Sequence, residues 1–504
     1  MPRKKNSVEW AFLFAITAAG AFLRFHRIGK ECLWLDEIFS AWRVSLTFPN
    51  LTNDLTLKFL FPPLYFYFLK TWSHLFGPGT AALKSFSALW GIAAIPIIYL
   101  LAREMFGRKA AVISTILLAF SAFNIYYSQE VKMYAMWWTL VLASNLFFVR
   151  SIKYGMRWPD VSLFCVVTAA ALWTHNFTVL VIGAQVIYLA AVFPPREVIK
   201  RWVWPCFAVV LLYCPWPLFF MAKNFARLRG GDVGGAMELT RKALEWIPIP
   251  TVREFFLSFV IFTSGIRFYA YDLDTWSLSW HMPFPAANYF CLVLLVILLY
   301  PVFHGCKDKW GFKSLVVVMV LFPSVGLFLY SRLVNSFWQP RYVGFISSIL
   351  FIMLGYGYRL SSRKWVASSA IVGLVVLNLS ILDFYYSDRV KKPWDDLVVY
   401  LSPRVEGGDT VLFPHMYSRR TFMHYWDQDE KRREKILNLE FPFRKTGEVR
   451  EKVVNFDDVW LVLSYPVPRG GEGRGRSLVE VHGYRRERMY LGNGLAVVHY
   501  MREK

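Results

Sequence analysis

Long apolar runs separated by short basic hinges dominate the first part of the chain. The runs fall at 8–25, 85–102, 110–127, 133–149, 161–174, 177–193, 202–222, 286–303, 314–331, 342–358 and 365–382. A helix needs roughly 20 apolar residues to cross the hydrocarbon of a bilayer, so this pattern predicts about eleven transmembrane helices. A further apolar segment, 62–76, is shorter and carries Lys70 and His74. After Asp383 the long runs stop and charges become dense. Thr410–Phe413, 459–464 and 495–500 there have the short β-rich pattern of strands, with Gly492-Asn493-Gly494 as a turn signal before the last. Residues 395–402 read as a short helix ending near Pro403. The predicted fold is an α-helical polytopic membrane protein, residues 1–382, followed by a small α/β domain, residues 383–504.

Charge orients this array. Lys and Arg crowd the hinges 103–109, 150–157, 196–201, 307–313 and 359–364, and the chain opens Met1-Pro-Arg-Lys-Lys. If segment 62–76 does not cross and the N-terminus is cytoplasmic, every one of these hinges faces the cytoplasm, as the positive-inside rule requires. That segment is therefore expected to be juxtamembrane or re-entrant. The same orientation puts the loops 26–84, 128–132 and 223–285 and everything after Asp383 outside. The apolar stretch 255–266 in the third loop is too short to span easily and is expected in the interface. No small-residue cleavage site follows the first run, which reads as an uncleaved helix.

Composition sharpens the picture. Of 504 residues, 56% are hydrophobic, and the 21 Trp fall largely near span ends, as interfacial belts require. The net charge of +22 resides in membrane hinges, which argues for anionic lipid rather than nucleic acid. The six Cys, at 32, 165, 206, 214, 291 and 306, lie mostly within or beside spans, against a disulfide framework or a zinc site.

The residues suited to chemistry converge on the outer face. Trp34-Leu35-Asp36-Glu37 places two adjacent carboxylates just outside the first span. Adjacent acids do not share a helix face, so one is expected to do chemistry while the other holds structure or a cation. Tyr126-Tyr127-Ser128-Gln129-Glu130-Val131-Lys132-Met133-Tyr134 brings Glu130 and Lys132 to a turn between spans. His175 sits in the outward turn Trp173-Thr174-His175-Asn176, and Arg341 and Tyr342 open a later span in Gln339-Pro340-Arg341-Tyr342. A guanidinium at such a place suits a phosphate or an interfacial anchor. Lys58, Pro62-Pro63 and Tyr65 form a weaker group. No Walker loop or hydrolase elbow stands out.

Taken in order, these pieces resemble the GT-C membrane glycosyltransferases, above all the bacterial branch that includes protein O-mannosyltransferases and the lipid A aminoarabinose transferase. The matching elements are Trp34-Leu35-Asp36-Glu37 with Ser40, Pro62-Pro63-Leu64-Tyr65, Phe106-Gly107-Arg108-Lys109-Ala110, Tyr127 to Tyr134, Thr174-His175-Asn176-Phe177 and Pro340-Arg341-Tyr342. Pro393-Trp394-Asp395 and Gly408-Asp409-Thr410-Val411 follow beyond the last span. The resemblance implies sugar transfer from a polyprenyl-phosphate donor to a protein, lipid or polysaccharide acceptor at the external face of a prokaryotic inner membrane. Asp36 would be the general base, with Glu37 and Glu130 in support. Lys132, Arg341 and Lys58 would face the donor phosphate, and Tyr65, Tyr127, His175 and Tyr342 would support or contact substrate. Inversion at the anomeric carbon would follow from single displacement. Many relatives carry a polar or acidic residue directly before the Pro-Pro pair, where Leu60 and Phe61 stand here. A divalent metal is thus left open, with Asp36, Glu37, Glu130 and His175 as its candidate ligands. The competing reading is a transporter or flippase for a lipid-linked saccharide. Such proteins often show paired repeats and mid-membrane charges, whereas no repeat is evident here.

Overall fold

The computed structural model describes residues 2–57, 62–229, 249–265, 268–272, 277–281, 285–304, 311–387, 389, 391–406, 409–413, 416–426, 436–438, 456, 458–464, 484–492 and 495–502. Two compact units emerge. The first comprises residues 1–28, 41–266 and 284–383; the second comprises 29–40, 267–283 and 384–504.

The first unit is helical, and each apolar run of the sequence falls on a helix or a bent helix pair. Among the described residues, five helices are long and apolar enough to cross a membrane: Ser7–Phe25, Thr80–Phe106, Tyr134–Lys153, Phe312–Leu333 and Lys364–Ser387. The number rises to seven if two bent pairs each count as one span. Trp158–Leu172, Thr178–Val192, Asn288–His304 and Ile346–Leu360 are apolar but shorter. Helix faces left uncovered stay apolar: Val203, Trp204, Phe207, Val210 and Leu211 are all exposed along Pro195–Tyr213. An apolar outer face of that length suits lipid and would be a liability in water.

Two runs that the sequence presents as continuous are broken. The run 110–127 splits into Arg108–Phe120 and Ala122–Ser128, bent by 56°. Ser121 is extended (φ −64°, ψ 113°) and caps the second piece by accepting from the Asn124 backbone N–H. The run 202–222 bends by 42° at Cys214, before Pro215. A proline has no N–H to continue the ladder. Where helices meet most closely the sequence supplies glycine. A Cβ on Gly357 would lie 1.8 Å from the Leu298 carbonyl oxygen, and one on Gly355 would lie 2.5 Å from that of Ala110. Small residues allow this approach in a bilayer, where packing replaces the hydrophobic drive.

The segment 62–76 forms the helix Leu64–Phe76, with Tyr65, Phe66, Leu69 and Lys70 buried. The Lys70 ammonium donates to the Val44 carbonyl at 3.0 Å. Within the third outer loop, Val252–Ser264 is a helix opened by a Thr251–Glu254 capping box. Its last turns pack against protein. Val260, Ile261 and Phe262 are buried, Phe262 meets the Phe123 ring edge-on at 5.3 Å, and Asn378 Nδ2 donates to the Thr263 carbonyl at 2.8 Å. The apolar stretch is short because it packs against protein rather than spanning lipid.

The described residues of the second unit form seven strands: β1 (Phe268–Asp272), β2 (Ser277–His281), β3 (Thr410–Phe413), β4 (Ile436–Asn438), β5 (Asp458–Ser464), β6 (Tyr484–Gly492) and β7 (Leu495–Arg502). β1 and β2 form an antiparallel hairpin. The others make a mixed sheet of order β4-β3-β5-β7-β6, parallel among β4, β3 and β5 and antiparallel thereafter. Helices Trp394–Leu401 and Met416–Trp426 bury Trp394, Leu397, Phe422 and Trp426 with Val411, Phe413, Trp460 and Val497 of the sheet. The second helix and strands β1, β2, β4 and β6 carry no clear signal in the sequence reading. Residues 493 and 494 of the expected turn lie outside the described residues.

Candidate active site

Asp36 and Glu37 open the helix Leu35–Ser45, where carboxylates complement the helix dipole. The two acids part company at once. Glu37 is fully buried, and its Oε2 accepts from the Lys391 ammonium at 2.6 Å and from the Trp34 backbone N–H at 3.2 Å. Asp36 is only half-buried. Glu37 thus has a structural place in this turn. Around them, Glu31 Oε2 accepts from the Lys391 backbone N–H at 2.9 Å. The Tyr425 hydroxyl accepts from the Leu33 N–H at 2.7 Å and donates to the Leu33 carbonyl at 3.1 Å. Burial pushes the neighbouring Cys32 thiol up to about 12, so it stays protonated. Lys391 and Tyr425 escaped the sequence reading. The only pointer was the Pro393-Trp394-Asp395 motif beside Lys391.

In the helical unit the sequence candidates gather around stacked rings. His175 lies flat on Trp137, with ring centroids 4.0 Å apart, and sits within 6.0 Å of Tyr342 and 6.3 Å of Tyr134. Tyr127 meets Tyr134 at 5.5 Å and Trp138 at 5.0 Å. The Arg341 guanidinium lies 5.9 Å from the Tyr134 ring and 5.4 Å from that of Tyr342. A cation over ring faces is attracted by their quadrupoles. Gly344 makes room for this wall, since a Cβ there would overlap Trp138. His175 Nδ1 accepts from the Phe177 backbone N–H at 3.2 Å. Burial drops its pKa to about 3, so it is neutral at physiological pH. A neutral ring is a poor counter-charge for phosphate, and the bond at Nδ1 leaves Nε2 as its working atom.

Glu130 and Lys132 are both buried in the turn before Tyr134. The Lys132 N–H donates to the Glu130 carbonyl at 2.8 Å. Ser87 Oγ donates to the Lys132 carbonyl at 3.4 Å and lies 3.2 Å from the Tyr65 hydroxyl. Tyr65 is wholly buried and thus shores up the Lys132 turn from behind. Lys58, Leu60 and Phe61 lie outside the described residues. Among the described residues no three His, Cys, Asp or Glu side chains gather as metal ligands.

The chain has a fold that it shares with solved structures of ArnT and AglB. The chain is similar to ArnT from Cupriavidus metallidurans in its apo state, with TM-score 0.63 and 12% identity over 98% of each chain. The same protein bound to undecaprenyl phosphate gives 0.62, also at 12% identity over 98% of each chain. The archaeal oligosaccharyltransferase AglB from Archaeoglobus fulgidus, in complex with an inhibitory peptide and a dolichol-phosphate, gives 0.54 at 10% identity, over 98% of this chain and 74% of that one. Residues 61–219 match the sequence model of the family described as dolichyl-phosphate-mannose-protein mannosyltransferase. No curated protein sequence matches the chain.

Proposed function

We propose that this protein transfers a sugar from a polyprenyl-phosphate donor to an acceptor at the extracytoplasmic face of a cell's inner membrane. The acceptor hydroxyl oxygen attacks the anomeric carbon and Asp36 takes its proton. The bond from that carbon to the phosphate oxygen breaks, and its electron pair leaves with the lipid phosphate. A phosphate leaving group needs little protonation, so one base and nearby cations suffice. Lys132 and Arg341 supply that positive charge, and Glu130 supports the acceptor. Attack from the face opposite the phosphate inverts the anomeric centre. On this reading the chain crosses the membrane about eleven times with its N-terminus inside, and residues 383–504 form an external domain.

The observation that carries this reading is the split between the two adjacent acids. Glu37 is wholly buried in an ion pair with Lys391, whereas Asp36 is only half-buried, which favours Asp36 as the carboxylate that meets a substrate. The likeness to folds solved with undecaprenyl phosphate and dolichol-phosphate supports the donor class. The test is transfer from a panel of radiolabelled polyprenyl-phosphate sugars in membranes. Wild type should transfer from at least one donor, and Asp36→Asn at equal expression should lose about 100-fold or more, the usual weight of a general base. Equal transfer by both proteins would remove Asp36 from the mechanism. A wild-type chain that moves labelled lipid across vesicles but transfers no sugar would favour the transporter.

A further inference from the structure

We infer that Lys391 is a positioning residue for Asp36, acting through Glu37. The sheet-bearing unit is then part of the catalytic apparatus and not only a place for an acceptor to dock. This rests on the reading of Asp36 as the base.

One carboxylate oxygen, Glu37 Oε2, does two jobs. It accepts from the backbone N–H of Trp34, the residue whose carbonyl receives the first helical bonds, from Glu37 and Ile38 at 2.8 and 2.9 Å. That is the returning half of a capping box, which sets where a helix starts and how its first turn is directed. The same oxygen accepts from the Lys391 ammonium at 2.6 Å. The glutamate side chain is 0% exposed and that of the lysine 4%, so water does not replace either partner. Successive residues of a helix point about 100° apart. Pinning Glu37 inward therefore fixes the direction of Asp36, one step earlier in the same turn. Ser40 Oγ donates to the Asp36 carbonyl at 3.1 Å and tightens that turn further.

The strand of chain leading into this helix is anchored to the same few residues. Lys391 gives its backbone N–H to Glu31, the Lys392 carbonyl accepts from Cys32 Sγ at 2.9 Å, and Tyr425 brackets Leu33. The Lys392 ammonium in turn donates to Ser464 Oγ at 2.9 Å, at the end of β5. The first turn is thus held from the sheet side by contacts spanning more than 350 positions of sequence. Without the ammonium, Glu37 would be a buried carboxylate with its cation gone, a costly state. It would take a proton or swing out, and either change releases the turn that aims Asp36.

The test uses the full chain in lipid nanodiscs with two readouts: hydrogen exchange of the amides of residues 34–38, and steady-state sugar transfer. Lys391→Met should speed exchange at these amides about tenfold and lower kcat about 30- to 100-fold, since small misplacements of a reacting group cost about that much. The donor KM should change less than about twofold, because uniform donor binding is untouched. Lys391→Arg should restore most of kcat. Lys391→Met with Glu37→Gln should lose no more than the worse single variant, as expected of residues acting as one unit. Should Lys391→Met fail to fold, Glu37→Gln and Lys391→Arg are read against wild type in the same way. Unchanged exchange at 34–38, or losses that multiply, would overturn the proposal. So would a fall in kcat matched by a general loss of thermal stability that arginine does not rescue. If wild type transfers no sugar from any donor, the reading of Asp36 fails, while the exchange experiment still decides whether Lys391 holds the turn.

Discussion

The two units bury positive charge by different means. In the helical unit Arg24 is wholly buried, and its guanidinium donates to backbone carbonyls: Gly20 at 3.0 Å, Ala119 at 3.2 Å and Leu118 at 3.2 Å. In the sheet-bearing unit Lys391 is buried against the carboxylate of Glu37. The difference follows from what each environment leaves unsatisfied. Breaking a helix inside a membrane frees carbonyls that no water can reach. The break at Ser121 interrupts the ladder at Leu118 and Ala119, and Arg24 donates to both carbonyls. Gly20 leaves space for it, since a Cβ there would lie 3.3 Å from Nη1. Gln129 Nε2 adds two more bonds at this place, donating to the carbonyls of Arg24 and His26 at 2.9 and 3.0 Å. A cation held by dipoles stabilises a bend, whereas a cation held by a carboxylate fixes a side chain and thereby a direction.

This contrast can be broken by substitution. The largest stability effect is expected for Arg24→Met, which strips three carbonyls of their charged donor. Gly20 keeps its helical partner and Leu118 its bond from the Ser121 N–H, so one buried carbonyl is left unmade and the loss should be about 1–3 kcal/mol, read as a fall in Tm or in folded yield. A melting temperature near wild type would mean that the bend holds without its cation.

A middling effect should come from His175→Phe, and it depends on pH. The folded pKa of His175 is about 3, below its ordinary value of 6.5. Between those values the unfolded chain binds a proton that the folded chain refuses. The stability from keeping this ring neutral is therefore complete above pH 6.5 and falls as pH drops toward 3. Phe at 175 keeps the ring on Trp137 and should flatten that part of the pH profile, seen as a smaller Tm difference between pH 7 and pH 4.5. An unchanged pH profile would show that the imidazole takes up a proton freely in the folded protein.

The smallest effect is expected at the edge of the helical unit. Arg157 pairs with Asp160 at 2.8 Å, but its side chain is 53% exposed. Arg150 also holds Asp160, at 2.6 Å. Arg157→Ala should cost no more than about 1 kcal/mol, the ordinary worth of an exposed pair. A larger loss in thermal melts would show that charge at this edge is as tightly coupled as charge in the interior.

The sequence made the helical unit legible because lipid forces long apolar runs, and each run falls on a helix or bent pair. It hid the bends, since Ser121 breaks a run whose hydropathy is continuous and only its capping of Asn124 reveals why. It also hid much of the sheet. β4 has three residues, and the pairing that fixes it comes from β3, parallel to it and paired Val411 to Ile436. At the candidate site the acids, Arg341 and His175 could be picked out because charge beside an apolar run is costly. Which acid was structural could not. That depends on Lys391, 354 positions from Glu37, and no local pattern records such a partner.

The order of the sheet has a consequence for biosynthesis. β7, its last strand in the chain, lies between β5 and β6 and pairs with both. The ribosome must therefore pass residue 502 before the middle of the sheet can be filled. Residues 29–40, made near the start of translation, belong to the same compact unit. They must wait for the synthesis of residues 384–502 for the scaffold that completes their unit. Such late closure slows folding, and it also means that an unfinished chain carries its carboxylates in an unassembled form.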